Sequence, residues 1–255
     1  MPQPFQEQTY RDGTYAEARD KGYDIVQLKF DGWFDRIEIG AGLVQHYSST
    51  GRAFGFDNLM DTEVIATLLG ENMRGTQWSQ QPTRLGRKYL FDCFAWEGMN
   101  LSQFTYRDRY RVLWNALERL PSTYEAVRCY PISTRDELWN IQVATGAFEG
   151  LIYRRSTDDT SGIILREKLI ITDDLQCIGF EEGLGKNAGM LGCIHARTKD
   201  DVRIDVGGGF SDDQRREIYL NQTAYLNKWF EVEARARFKS GSLRHPNFIR
   251  WRFDK

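Results

Sequence analysis

The chain has 255 residues, of which 41% are hydrophobic and 27% are charged, and its formal net charge is -2. This length accommodates one large domain or two domains of unequal size, and the hydrophobic content excludes a largely disordered chain. The nearly neutral balance excludes a uniformly basic surface. Any nucleic-acid-binding surface must therefore come from local clustering of the 34 lysines and arginines.

The cysteines and histidines give no signal of a metal site. The chain has three histidines and no C-x-x-C pair, and its cysteines are Cys93, Cys129, Cys177 and Cys193. We therefore expect free thiols in a reducing compartment and no structural zinc, and we interpret His195 and His245 as structural residues. The N-terminal segment is polar and no apolar run is long enough to span a membrane, which predicts a cytoplasmic protein, including the case of a virus-encoded one.

Strand patterns dominate the first two thirds of the chain. Apolar alternation between turn residues predicts strands at Tyr23–Phe30, Trp33–Ile39, Val64–Met73, Lys88–Trp96, Phe148–Arg154 and Ile163–Ile171. Only Asp31 and Gly32 separate the first two strands, and Gly40–Gly42 makes the next turn. We therefore predict an antiparallel meander rather than a βαβ unit.

Two helices interrupt these strands. The segment Tyr106–Leu120 has apolar residues at helical spacing and stops at Pro121. A second helix, Arg135–Thr145, is predicted to be capped by Thr134 and to end at Gly146. Three arginines that alternate near the start of the first helix are interpreted as a solvated face; they are Arg107, Arg109 and Arg111.

The pattern changes after about Ile171. Short strand-like runs recur between glycines, and a short helix opens at Ser211. Five short strands with one helix are typical of a small Greek-key barrel of the OB type. The sequence therefore predicts an α+β chain, with a domain of antiparallel sheets and helices over residues 1–170 and an OB-fold barrel over residues 171–255, joined by a hinge near residues 171–174.

The first candidate for chemistry is the segment Lys29–Gly32, which places an amine beside the carboxylate of Asp31 at a strand end. A lysine amine is nucleophilic only when deprotonated, and a solvated lysine has a pKa near about 10.4, so burial or a neighbouring cation is needed. Considered alone, the segment is more typical of a solvated lysine in a hairpin turn. Its interpretation depends on what accompanies it.

Five further motifs follow in order: Leu69–Glu71 (L-G-E), Phe91–Asp92, Glu149–Arg154 (E-G-L-I-Y-R), Arg166–Lys168 (R-E-K) and Arg252–Lys255 (R-F-D-K). Together with Lys29–Gly32 they resemble the covalent nucleotidyltransferases, and in particular the ATP-dependent DNA ligases. Residues 70–79 and the run Leu243–Phe248 are similar to segments of small bacteriophage ligases. The resemblance implies an adenylation domain followed by an OB-fold domain.

The resemblance also implies a role for each matching residue. Lys29 would attack the α-phosphate of ATP and carry AMP, with Asp31 beside it in the same motif. Glu71 would hold the ribose or help to hold a metal ion, and Glu63 is an alternative for this role. Phe91 would stack on the adenine ring.

The later motifs would hold the phosphates and a cation. Glu149, with Glu71, would coordinate Mg²⁺, for which Mn²⁺ could substitute. Arg166 and Lys168 would bind the α-phosphate and stabilise the charge that develops during transfer. The C-terminal motif would orient the leaving pyrophosphate through Arg252, Asp254 and Lys255.

Three positions depart from the pattern of the ligases. Phe34 stands where an arginine usually follows the nucleophile, and Arg36 is the nearest arginine that could take this role. Leu69 replaces the usual aspartate before Gly-Glu. Arg166 replaces a lysine, which keeps the charge but not the geometry.

We therefore expect an ATP-dependent ligase that seals nicks between a 5′-phosphate and a 3′-hydroxyl in duplex DNA, acting as a monomer. Strands that contain RNA, including an RNA/DNA hybrid, are compatible with the sequence. Two alternatives remain open. One is an RNA ligase or a capping-type guanylyltransferase, and the other is an inactive nucleic-acid-binding protein with an OB fold.

Overall fold

The structure is a computed structural model that describes residues 8–59, 61, 63–73, 86–238 and 240–254. The chain divides into two compact units, Met1–Lys168 and Leu169–Lys255. Lys255 and the part of the 70–79 segment beyond Met73 lie outside the described residues. None of the helices in the described part of the chain combines the length and the apolar character required to cross a membrane.

The first unit is built on two β-sheets. Its strands, in chain order, are β1 (Tyr10–Asp12), β2 (Ile25–Lys29), β3 (Trp33–Gly40), β4 (Leu43–Tyr47), β5 (Ala53–Asn58), β6 (Ala66–Asn72), β7 (Lys88–Trp96), β8 (Met99–Asn100), β9 (Tyr124–Ala126), β10 (Tyr130–Pro131), β11 (Gly150–Arg154) and β12 (Ile164–Lys168). One sheet has the order β1-β12-β11-β2-β10. The other has the order β5-β4-β3-β6-β7-β8, and β9 pairs with β7.

The predicted meander is wrong at its first connection. Strand β2 pairs with β10 and β11, and β3 pairs with β4 and β6, so these consecutive strands lie in different sheets. The turn from β3 to β4 is as predicted, because Ala41 and Gly42 take φ values of 50° and 77° that suit a tight hairpin. The segment Phe30–Gly32 is thus a crossover between sheets and not a hairpin turn.

The described residues of the first unit also form three α-helices: α1 (Tyr15–Asp20), α2 (Tyr106–Ala116) and α3 (Arg135–Leu138). Thr105 caps α2, which packs Leu113 into the core of the second sheet. The helix also buries Ala116 and continues as the 3₁₀ turn Leu117–Arg119. The second predicted helix is wrong in detail. A π-helix, Trp139–Val143, follows α3, and the Thr134 hydroxyl donates to the Pro131 carbonyl at 2.8 Å instead of capping the helix.

The second unit is a small barrel. Its elements are β13 (Ile171–Glu182), β14 (Leu191–Arg197), β15 (Arg203–Val206), α4 (Asp212–Leu220), α5 (Gln222–Tyr225), β16 (Trp229–Ala234), β17 (Ala236–Arg237), β18 (Leu243–Arg244) and β19 (Asn247–Arg252). The main sheet has the order β15-β14-β13-β16-β19. Its apolar interior includes Leu175, Ile194, Phe230 and Phe248.

A backbone bridge closes this sheet on itself. The Phe248 amide donates to the Gly208 carbonyl at 2.9 Å, just beyond the end of β15. Gly209 follows with a φ of 86°, and a Cβ there would press on the Phe248 backbone, so only glycine fits. The proposed hinge at residues 171–174 is not a loop, because Ile171–Asp174 pair with β16 as the first residues of β13.

Candidate active site

A cavity of about 440 Å³ opens between the two sheets of the first unit. The first sheet contributes Lys29, Ile152 and Arg166 to its wall, and the second contributes Phe34, Glu71 and Phe91. A concave site of this size suits a small-molecule ligand. The cavity therefore collects residues from motifs that are far apart in sequence.

Strand register explains why three of the motifs meet. Gly150 at the start of β11 pairs with Lys29, the last residue of β2, and with Lys168, the last residue of β12. The backbone amide of Glu149 also donates to the Lys29 carbonyl at 3.0 Å. A Cβ on Gly150 would lie 2.9 Å from the Lys168 Cα, so the glycine allows the strands to approach this closely.

The Glu149 carboxylate lies between the two lysine amines. Its Oε2 accepts a hydrogen bond from the Lys29 Nζ at 2.6 Å, and its Oε1 lies 3.8 Å from the Lys168 Nζ. All three side chains are 16–17% exposed. Burial lowers the pKa of Lys168, and the cationic Arg166 and Lys29 act in the same direction, while Glu149 and Asp12 oppose the shift. The arrangement places one carboxylate between two amines, and of the three residues Lys29 lines the cavity.

Glu71 contributes a carboxylate to the cavity wall. Its Oε2 is buried and has no hydrogen-bond partner among the described residues. Burial raises the pKa of Glu71 to about 7, and the negative charges of Glu149, Asp31 and Asp35 also raise it, while Lys29 lowers it. A buried acceptor without a partner is costly to the protein alone and fits a ligand that would supply the missing donor or cation.

We expect Glu71→Gln to make the protein more stable than the wild type at pH 8. The folded-state pKa of about 7 lies above the ordinary 4.5, so the stability linked to the bound proton is present below about pH 4.5 and is lost as the pH rises through 7. The free energy of unfolding of Glu71→Gln should exceed that of the wild type by up to about 3 kcal/mol at pH 8, because each unit of pKa shift corresponds to about 1.36 kcal/mol. This difference should shrink toward pH 5.

Urea unfolding between pH 5 and pH 8 checks this expectation. Glu63→Gln is the matched control, because the Glu63 side chain is exposed. A stability difference between Glu71→Gln and the wild type that did not change with pH would contradict it.

Aromatic rings form the apolar part of the cavity. Phe91 is buried and its ring centroid lies 6.3 Å from that of Phe34, which pairs with Glu71 in the second sheet. Next to Lys29, the Phe30 ring stacks on Tyr89 with centroids 4.0 Å apart. This last contact packs the crossover segment against the second sheet. The position of Phe91 is compatible with the stacking role that the resemblance implies.

A buried polar network lies beneath Phe91. Asp92 is fully buried and accepts two hydrogen bonds from Arg109, from Nε at 2.8 Å and from Nη2 at 3.0 Å. Gln8 donates to the same carboxylate at 2.6 Å. The interpretation of Arg109 as part of a solvated face is therefore wrong, since its side chain is 1% exposed.

Sequence reasoning did not single out Arg154 and Gln27, which also line the cavity. The Arg154 Nε donates to the Gln27 Oε1 at 3.0 Å, and its guanidinium lies 5.4 Å from the centre of the Phe91 ring. Both positions carried a signal, because Gln27 is two residues before Lys29 on β2 and Arg154 ends the E-G-L-I-Y-R motif. Residues two apart on a strand face the same side.

Three further residues that the sequence analysis proposed differ in whether they line the cavity. Arg166 lines it, and its Nε lies 3.1 Å from the Asp12 Oδ1. Asp31 lies in the crossover segment and acts on Glu71 through its charge. Arg36 is not among the cavity-lining residues; its guanidinium donates to Glu38 at 2.8 Å and covers the Tyr47 ring.

The C-terminal motif belongs to the second unit. The Arg252 Nη1 donates to the Asp174 Oδ1 at 3.1 Å, and the two other guanidinium nitrogens pair with both oxygens of Asp254 at 3.1 Å. These ion pairs keep the guanidinium on the surface of the barrel. The role of Arg252, Asp254 and Lys255 toward pyrophosphate stays a prediction.

Comparisons with known proteins agree with this architecture. A family model described as the DNA ligase OB-like domain matches residues 182–252. A solved structure of a Lig E DNA ligase, described as DNA binding with a minimal scaffold, has a TM-score of 0.74 at 19% identity and covers 97% of this chain and 100% of that one. A structure named Pmar-Lig has a TM-score of 0.69 at 20% identity, and the match covers 96% of this chain and 67% of that one. The ligase domain of M. tuberculosis LigD has a TM-score of 0.51 at 16% identity, and the match covers 97% of this chain and 94% of that one. Among curated proteins, no sequence match was found.

The chain therefore has the fold of the ATP-dependent DNA ligases, in which a domain of two β-sheets is followed by an OB domain, as the sequence resemblance predicted. Within that fold class it is similar to the minimal Lig E scaffold along nearly its whole length.

Proposed function

We propose that this protein is an ATP-dependent DNA ligase that seals nicks through an AMP carried on Lys29. The observation that supports this function most strongly is the juxtaposition of Lys29, Glu149 and Lys168 beside a cavity that Lys29 and Glu71 line. Adenylyl transfer needs a nucleophilic amine with a hydrogen-bond acceptor, a second cation to stabilise the phosphate, and an aromatic wall for the base.

In the first step, the lone pair of the Lys29 Nζ forms a bond to the α-phosphorus of ATP. The bond from that phosphorus to the bridging oxygen breaks, and pyrophosphate leaves with the electron pair. The proton leaves Nζ, for which Glu149 is the hydrogen-bond acceptor at 2.6 Å. Lys168 and Arg166 offer positive charge to the phosphate oxygens as charge develops on them.

In the two later steps, AMP passes from Lys29 to the 5′-phosphate of the nick, and the 3′-hydroxyl then displaces AMP and closes the backbone. The nucleic acid we propose is a nicked DNA duplex, and the OB fold of the second unit suits contact with it. The same chemistry applies to a nick in which one strand is RNA.

A divalent cation fits the residues that are present. Mg²⁺ prefers one or two carboxylates together with phosphate oxygens and water. Glu71 lines the cavity and offers a buried oxygen without a partner among the described residues. Glu149, which accepts a hydrogen bond from the cavity-lining Lys29, is the second carboxylate. When bound there, Mg²⁺ would offset the negative charge of the triphosphate. Glu71 and Glu149 would hold it, and Lys29 and Lys168 would act on the α-phosphate.

The test combines two measurements on the purified protein. The protein is first treated with pyrophosphate to remove any bound AMP, and then given Mg²⁺ and ATP labelled at the α-phosphate. We expect the label to stay with the protein in denaturing electrophoresis and to be chased into a product when a nicked DNA duplex is added. Sealed strands should appear on denaturing gels.

Each alternative predicts a different outcome. Labelling followed by sealing of RNA nicks alone would favour an RNA ligase. Labelling by GTP in place of ATP would favour a capping-type guanylyltransferase. If neither nucleotide labelled the protein after pyrophosphate treatment, the enzyme proposal would fall, and a nucleic-acid-binding protein would replace it.

A further inference from the structure

The outer face of the barrel carries a cluster of three different potential metal ligands. Glu181 on β13, with Cys193 and His195 on β14, place one ligand atom each within 4.8 Å of one another. Glu181 pairs with Cys193 across the two strands. The alternation of β14 directs Ile194 and Ala196 into the apolar interior and leaves Cys193 and His195 on the outer face. All three potential ligands belong to the second unit, and none takes part in the Lys29 cavity.

The spacing of these atoms suits a small cation. The Glu181 Oε2 lies 3.6 Å from the His195 Nε2 and 3.8 Å from the Cys193 Sγ. In a tetrahedral zinc site, with bonds of about 2.0 to 2.3 Å, neighbouring ligand atoms are separated by roughly 3.3 to 3.7 Å. These two distances differ from the tetrahedral ones by a few tenths of an ångström, which side-chain rotation can supply. The Cys193 Sγ lies 3.9 Å from the His195 Nδ1, and all three ligand atoms lie within 4.8 Å of one another.

A fourth residue fixes the histidine. The Asp205 Oδ1 on β15 lies 2.7 Å from the His195 Nδ1. A proton on Nδ1 that is held by this carboxylate leaves the lone pair on Nε2, the nitrogen that faces Glu181. A carboxylate that orients a histidine in this way is the usual outer partner of a zinc-binding histidine.

The types of ligand narrow the choice of metal. A thiolate with an imidazole favours zinc and similar transition metals, whereas Mg²⁺ and Ca²⁺ prefer sets made only of oxygen ligands. We propose that Cys193, His195 and Glu181 form a binding site for Zn²⁺ on the barrel, with Asp205 orienting His195. Three protein ligands leave the fourth position to water. The site links β13 to β14, so binding should stabilise the barrel.

The test uses the full chain, freed of metal by a chelator and titrated with Co²⁺ as a spectroscopic substitute for Zn²⁺. We expect one equivalent to bind, with a sulfur-to-cobalt charge-transfer band and the visible bands of a tetrahedral ion, and we expect Zn²⁺ to displace it. Cys193→Ser should abolish the charge-transfer band, and His195→Gln should abolish tight binding. Asp205→Asn should weaken the affinity by about 10 to 100-fold.

His245→Asn is the matched control, because this exposed histidine belongs to the same unit and lies outside the cluster. Asparagine also tolerates the φ of 49° at this position. The control should bind Co²⁺ like the wild type, and each variant should unfold at the wild-type temperature without metal. Added Zn²⁺ should raise the melting temperature of the wild type and not that of Cys193→Ser. Binding without a sulfur band, or equal affinity in the wild type and Cys193→Ser, would overturn the proposal.

Discussion

Lys29→Arg is expected to lose covalent labelling by ATP by a factor on the order of 10⁴ or more, the scale on which removal of a nucleophile acts. Arginine keeps a positive charge opposite Glu149, so the carboxylate is not left without a cation. Its guanidinium stays protonated in proteins, however, and has no lone pair to attack phosphorus. The substitution therefore removes the nucleophile while keeping the ion pair with Glu149.

The measurement is retention of α-phosphate label after pyrophosphate treatment, compared among the wild type, Lys29→Arg and Lys29→Ala. Lys21→Ala is the control for lysines in general, since Lys21 is exposed and pairs with Glu17 at 2.8 Å in α1. A nick whose 5′-phosphate already carries AMP needs no lysine nucleophile, so Lys29→Arg should still seal it. If Lys29→Arg kept the label, AMP would be carried elsewhere, and Lys168 would be the next amine to examine.

Arg109→Ala is expected to destabilise the protein by about 3 to 5 kcal/mol, the usual cost of removing one partner of a buried ion pair. Asp92 is fully buried, and loss of the guanidinium removes both of its bonds to Nε and Nη2. The Arg109 Nη1 also donates to the Phe104 carbonyl at 2.7 Å, which would lose that donor. Arg154, 3.4 Å from the same carboxylate, compensates only in part.

Arg111→Ala is the matched control, because it removes an arginine two residues later on α2. The Arg111 side chain is 71% exposed and lies 3.8 Å from Asp108, so its loss should cost no more than about 0.5 kcal/mol. Denaturant unfolding of Arg109→Ala and Arg111→Ala measures how much stability each variant loses. Equal stability of the two variants would show that Asp92 finds other partners. A looser Asp92 should also weaken ATP binding, since Phe91 precedes it in the cavity wall.

The position of Arg109 could have been derived from the sequence. Residues Tyr106, Leu113 and Ala116 form the buried stripe of α2, and residue 109 falls on the same stripe at helical spacing. The alternating charges at residues 107–111 are typical of an exposed face, whereas the helical period places residue 109 among the buried positions. Helical periodicity says which face is buried, but it does not say that a carboxylate from β7 will meet a buried arginine there.

The sequence by itself indicated the chemistry that we propose for Lys29. The order of the motifs, from Lys29–Gly32 to Arg166–Lys168, carries the resemblance, and strand and turn patterns indicated an α+β domain followed by a barrel. Such signals are local, because a strand period or a turn residue depends on neighbours in the chain. The fold of the ATP-dependent DNA ligases agrees with them.

Only the tertiary structure decided which residues meet. The pairing of Gly150 with both Lys29 and Lys168 sets Glu149 between two amines, and the crossover at Phe30–Gly32 puts β2 and β3 in different sheets. The same holds for His195, whose contacts with Glu181 and Asp205 come from neighbouring strands. Strand register depends on long-range hydrogen bonds and on core packing, and neither can be read from spacing along the chain.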